Sequence, residues 1–142
     1  MADYVTFRLD GREMAARIEL VREVVRLGSL VTLPGMVPPM AGVLDLRGVS
    51  LPVVDLRGVA GGPGDVLVLG DGERSYGFVC DAVSAVVSSD ALALDPAAGV
   101  RESLPGYVEA VLRGPSGPVF LVDVLRMSVR DGQPMLTSTP SE

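Results

Sequence analysis

Val5-Thr6-Phe7-Arg8-Leu9-Asp10-Gly11-Arg12-Glu13-Met14-Ala15-Ala16-Arg17-Ile18 consists of an apolar segment, a two-residue turn and a second apolar segment. Asp-Gly suits a tight hairpin, because both central residues of such a turn tolerate positive φ. The same arrangement returns as Val66 to Gly70, Asp71-Gly72 and Glu73 to Val79. The segment after each hairpin also repeats: Glu19, Val21, Val24 and Val25 after the first, Asp81, Val83, Val86 and Val87 after the second. The offset is about 61 to 62 positions. Further on, Gly42 to Leu46 resembles Gly106 to Ala110, and Val53 to Arg57 echoes Leu121 to Arg126, so the offset widens along the chain.

A unit of about 60 residues therefore occurs twice, and short Val- and Leu-rich segments between Gly, Pro and Asp make each unit a set of strands. The expected fold is all-β. Two small SH3-like five-stranded barrels satisfy the repeat, the first over roughly residues 15–65 and the second over roughly 66–122, with the terminal segments crossing over. The glycine-rich run Gly58 to Gly64 is the natural connector. A short C-terminal helix is expected within Asp123 to Arg130, and 131–142, with Gly132, Pro134 and Pro140, is expected to be a disordered tail.

Composition narrows the functions. The 142 residues are 48% hydrophobic, enough to fill a core, with no apolar run long enough to span a bilayer. Eighteen acidic residues against twelve arginines give a net charge of −6, which repels nucleic acid, and aromatics at 4% are too few for a base-stacking platform. There is no histidine, which removes Ser-His and Cys-His pairs, an imidazole base and histidine metal ligands. There is no lysine, so Gly58 to Gly64 is no P-loop. Asp10 and Asp71 lack the Asp-Thr-Gly or Asp-Ser-Gly context of an aspartic dyad and are turn residues. A carboxylate metal site from Asp45, Asp55, Asp81 or Asp123 is disfavoured, because each lies beside arginine or in a separate strand. No catalytic residue, cofactor or metal is assigned. The one cysteine, Cys80, lies in an apolar run and is expected to be a buried thiol.

The densest motif is Gly42-Val43-Leu44-Asp45-Leu46-Arg47-Gly48-Val49-Ser50-Leu51-Pro52-Val53-Val54-Asp55-Leu56-Arg57. It resembles the hallmark of the CheW family: Gly-Val-hydrophobic-Asn-Leu-Arg-Gly, a short apolar stretch, then Pro-Val-hydrophobic-Asp-Leu-Arg. Arg22-Glu23-Val24, Leu33-Pro34, Gly77 to Val83 and Pro118 to Leu125 extend the likeness over about residues 3 to 130. Three departures are Asp45, where the family usually has asparagine, the missing Phe-Gly after Asp55-Leu56-Arg57, and the short, glycine-rich connector.

The resemblance implies a cytoplasmic, non-enzymatic adaptor at chemoreceptor arrays, monomeric in isolation. It would couple a receptor's cytoplasmic tip to the regulatory domain of a CheA-type histidine kinase through exposed strand faces and the groove between barrels. An accessory protein keeping only one of these partners is the alternative. Glu23, Val24, Asp45, Arg47, Gly48, Val83 and Val86 are the candidate partner-binding residues, Glu23 and Val24 having repeat counterparts near Ala85 and Val86. Asp45 with Arg47, and Asp55 with Arg57, are two apart and so share a strand face, where a local ion pair is the structural alternative.

Overall fold

The computed structural model describes residues 3–58, 62–70, 74–94, 104–130 and 133–134. Strands β1 (Asp3–Leu9) and β2 (Arg12–Arg17) form the first hairpin, and Asp10 and Gly11 take φ of 51° and 78° at its tip. A 3-10 turn, Ile18–Leu20, leads to β3 (Val21–Arg26), β4 (Leu30–Val31), β5 (Met40–Leu46) and β6 (Val49–Asp55). The second hairpin is β7 (Asp65–Gly70) and β8 (Ser75–Cys80), laddered as far as Gly70–Ser75; its Asp71-Gly72 turn lies outside the described residues. Then come β9 (Ala82–Ser88), a 3-10 turn at Ser89–Ala91, β10 (Ala93–Leu94), β11 (Val108–Gly114) and β12 (Gly117–Val122).

The chain closes on the helix α1 (Val124–Met127), shorter than the Asp123 to Arg130 expected for it. Asp123 caps it by accepting from the amides of Leu125 and Arg126 at 3.1 and 3.2 Å. Strands β13 (Val129–Arg130) and β14 (Gln133–Pro134) then pair with each other, so Gln133–Pro134 of the expected tail is held in a strand. Residues 135–142 of that tail lie outside the described residues.

Two six-stranded sheets result, ordered β10-β11-β12-β2-β1-β9 and β4-β5-β6-β8-β7-β3. They share one plan, with each hairpin exchanged: β1–β2 completes the sheet of β9 to β12, and β7–β8 completes that of β3 to β6. The ladder of β3 with β7 reproduces that of β9 with β1 at a constant shift of 62 residues, bulge included. The ladder of β5 with β6 matches β11 with β12 at a shift of 68. Three expectations change. Each SH3-like unit is a curled sheet of six strands rather than five, and its edges do not close into a full barrel among the described residues. The boundary at 65/66 does not separate the sheets, because Asp65–Cys80 belongs with β3 to β6. Gly42 matches Ala110 rather than Gly106.

The exchange explains why the hairpin strands read as nearly continuous apolar runs: both their faces are covered. Val5, Phe7, Leu9, Leu67, Leu69, Phe78 and Cys80 fill a core between the sheets, with the Phe7 and Phe78 rings edge to face at 6.1 Å. Alternate residues Val66, Val68 and Val79 join Leu44, Leu51 and Val53 inside the first sheet. Ala15, Leu112, Val119 and Leu121 form the smaller interior of the second. Burying each phenylalanine contributes about 1.5–3 kcal/mol. The turns fasten the halves together: Asp10 accepts from the Gly58 amide at 3.0 Å, and Asp81 accepts from that of Gly11 at 3.0 Å.

Candidate partner-binding site

Leu46 and Val49 are the last pair of the β5–β6 ladder, which leaves Arg47 and Gly48 as a two-residue turn with φ of 51° and 86°. Positive φ at both positions is the requirement of a type I′ hairpin; glycine meets it freely, and arginine is held there by its surroundings. The Asp45 Oδ1 accepts from the Gly48 amide at 2.9 Å, which stabilises the turn. The expected Asp45–Arg47 pair is therefore replaced. Asp45 is spent on the backbone, and Arg47 is lifted out of the strand plane.

Arg47 instead donates to Glu23 Oε2 on β3 at 2.7 Å. In a flat sheet β3 and β5, four strand spacings apart, would be separated by about 19 Å. The contact shows how far this sheet curls. The bond to Glu23, and then its charge, raise the Arg47 pKa further above neutrality. With side chains 68% and 37% exposed, the pair presents a fixed guanidinium and carboxylate at the surface.

Five of the eight exposed large hydrophobics among the described residues, Val24, Val31, Leu33, Val37 and Val49, belong to β3 to β6 and their loops. Val24 and Val49 flank the two partners of the ion pair in sequence. The sequence singled out Val24 but missed Val31, Leu33, Val37 and Val49; unpaired apolar residues beside Pro34 and Pro38 were the available signal. Val83 and Val86 lie elsewhere, on β9 at the edge of the other sheet. Val83 is half-buried against the shared core, whereas Val86 is 61% exposed. Of the seven candidates, Glu23, Asp45, Arg47 and Gly48 are brought together by the ion pair and the turn; Val24 follows Glu23 on β3 but lies on the opposite strand face, opposite Leu67 rather than Val68, and Val83 and Val86 lie on the other sheet.

Asp55 and Arg57 form the expected local pair. Arg57 donates to both carboxylate oxygens of Asp55, at 3.0 and 2.9 Å, and to the carbonyls of Gly62 and Pro63. The side chains are 5% and 6% exposed, so this fork pins the glycine-rich connector. Its hydrogen bond to Asp55 holds the Arg57 pKa above its usual value. Burial pushes the Cys80 thiol up to about 12, leaving a protonated, inert group at neutral pH. Among the described residues no three His, Cys, Asp or Glu side chains form a metal-ligating group. Where the halves meet, a cavity of about 370 Å3 opens between Leu9, Asp10, Met14, Leu56, Tyr107 and Met127.

Comparison with known proteins adds a decisive observation. The model of the CheW-like domain family matches residues 3–131. The chain belongs to the CheW-like domain family. The Chemotaxis protein CheW of Bacillus subtilis (strain 168) is 36% identical over 53 residues, 37% of this chain; the chain spans about a third of that relative's length, 34%. The crystal structure of scaffolding protein TtCheW from Thermoanaerobacter tengcongensis superposes with a TM-score of 0.71 at 20% identity, covering 94% of this chain and 92% of that one. The exchanged two-sheet architecture is thus a CheW-like fold, and the Gly42 to Arg57 hallmark is its β5–β6 hairpin with the buried Asp55–Arg57 fork.

Proposed function

We propose that this chain is a non-enzymatic chemosensory adaptor that couples the cytoplasmic tip of a chemoreceptor to the regulatory domain of a CheA-type histidine kinase. It acts in the cytoplasm, at receptor arrays. Membership of the CheW-like family supports the adaptor role, and no helix among the described residues is long and apolar enough to cross a membrane. The observation that carries the binding role is the Arg47–Glu23 pair. A guanidinium fixed in a tight turn, two residues before exposed Val49, combines the charge and apolar area from which interface anchors are built.

The test is Arg47→Ala, followed by thermal melting and by titration with a receptor cytoplasmic fragment and, separately, with the kinase regulatory domain. An anchoring role predicts an unchanged melting temperature and an affinity loss of about thirtyfold or more for at least one partner. A lowered melting temperature with both affinities intact would reduce Arg47 to a seam fastener.

A second reading, an accessory protein that binds only one partner, is favoured by Asp45. Its bond to the Gly48 amide needs only one acceptor, which asparagine supplies equally, so the aspartate adds an exposed charge to the turn. A desolvated, unmatched carboxylate rejects a partner. Asp45→Asn would then create affinity for the missing partner and leave the other unchanged.

A further inference from the structure

The two halves share strand order, ladder register and bulges, yet the Arg47–Glu23 ion pair that spans the seam of the first has no counterpart among the equivalent described residues of the second. Arg47 reaches Glu23 there, and Leu46 packs inside. By the register shifts, the corresponding positions of the second half are Pro115, Ala85 and Gly114, and Thr6 stands in place of Val68. None of these can make the ion pair, and all four are smaller or more polar than their counterparts. The second seam accordingly holds a cavity of about 550 Å3, lined by Thr6, Ser84, Val87, Leu92 and Val119, with Arg12 also at it.

Strand β9 forms one wall, and its outer edge has no partner strand among the described residues. The equivalent edge strand, β3, carries Arg22, Glu23 and Arg26, the kind of charges that blunt an edge against strand addition. Strand β9, Ala82 to Ser88, carries no charge at all and leaves Val86 61% exposed. Arg8 and Arg12 outnumber Glu13 around the cavity; Arg8 is engaged with Glu13 and the Gly11 carbonyl, while Arg12 has a 3.4 Å contact to the Asp10 carbonyl.

We propose that the second seam binds an extended segment of a partner protein, added as a strand to the open edge of β9, with an apolar side chain entering the cavity and an acidic one facing Arg12. Strand addition fits the surface in two ways: the outer main chain of β9 beyond Val83, whose amide is already taken by Asp65 at 2.9 Å, supplies the hydrogen bonds, and the adjoining cavity supplies selectivity. The occupant is a peptide segment rather than a free small molecule because the site joins a backbone edge to a side-chain cavity. The proposal is independent of the adaptor reading, whose surface lies on the other sheet.

The probe is a capped heptapeptide, Thr-Val-Thr-Val-Asp-Val-Thr, titrated into the 15N-labelled full chain. A control has proline at its central position and cannot pair along its length. Saturable amide shifts confined to β9 and residues 114–120, absent with the proline control, are expected. Ala85→Glu restores on β9 the charge that β3 carries, and should weaken the peptide at least tenfold; Arg12→Gln, an exposed substitution, should weaken it severalfold without altering the melting temperature. Failure of the parent peptide to shift these amides at millimolar concentration would overturn the proposal. Equal binding of the proline peptide would also overturn it, since it would mean that the cavity is filled without strand pairing.

Discussion

Arg57 illustrates how the role of one residue depends on what surrounds it. It occurs in the same Asp-Leu-Arg pattern as Arg47, yet its fork is buried against Asp55 and two connector carbonyls, whereas Arg47 stands in solvent. Removing one member of a buried pair leaves the other charge unpaired, so Arg57→Ala should cost about 3 kcal/mol or more of unfolding free energy, read by urea titration. Arg57→Lys should recover only part of this, because an ammonium cannot reproduce the bidentate contact. Cys80 makes a pH prediction. Its folded pKa is raised to about 12 from an ordinary value of 9.0, so the folded state keeps the proton that the unfolded chain releases. Stability is then fully present below about pH 9 and falls as pH rises towards 12, by at most about 1.4 kcal/mol per unit. Urea midpoints at pH 8 and pH 10.5 should differ more for the parent chain than for Cys80→Ala, and an equal decline in both would refute the assignment.

Within the strands, Gly77 marks where β8 passes between β6 and β7. A Cβ there would lie 2.6 Å from a Val66 methyl and 3.1 Å from one of Val53, both fully buried. Gly77→Ala should therefore overpack the interior of the first sheet and cost about 1–3 kcal/mol, measured as a lowered midpoint at unchanged m-value. The β5–β6 turn shows what was legible in the sequence and what was not. Its strands and its glycine follow from local pattern, because hairpin chemistry is local. The partner of Arg47 does not: spacing along a strand pointed to Asp45, but the left-handed backbone at Arg47 turned the side chain towards Glu23, 24 residues away. Curl of the sheet decides that contact, and curl depends on packing between distant strands.

Across the two sheets, the repeat was readable from the pair of Asp-Gly hairpins and a crossing of the terminal segments was expected, but the reciprocal exchange of both hairpins was not. A hairpin has the same local sequence whichever sheet it joins. The exchange is expressed only in which apolar face meets which core, as with Leu67 in the shared core and Val68 in the first sheet's own. It has a consequence for folding. Residues 1–64 and 65–142, expressed separately, each lack the hairpin that completes their sheet, and neither should show dispersed amide resonances alone. Mixed, the two should recover a native-like spectrum; independent folding of either fragment would contradict the exchange. The proposed adaptor role requires that one small molecule of this architecture hold two partners at once. Sedimentation velocity of the chain with the receptor cytoplasmic fragment and the kinase regulatory domain reads this out without intermediate steps. A ternary species heavier than either binary complex is expected, with receptor and kinase domain sedimenting apart when the chain is omitted. Binary complexes alone, with one partner displacing the other or failing to bind, would contradict it.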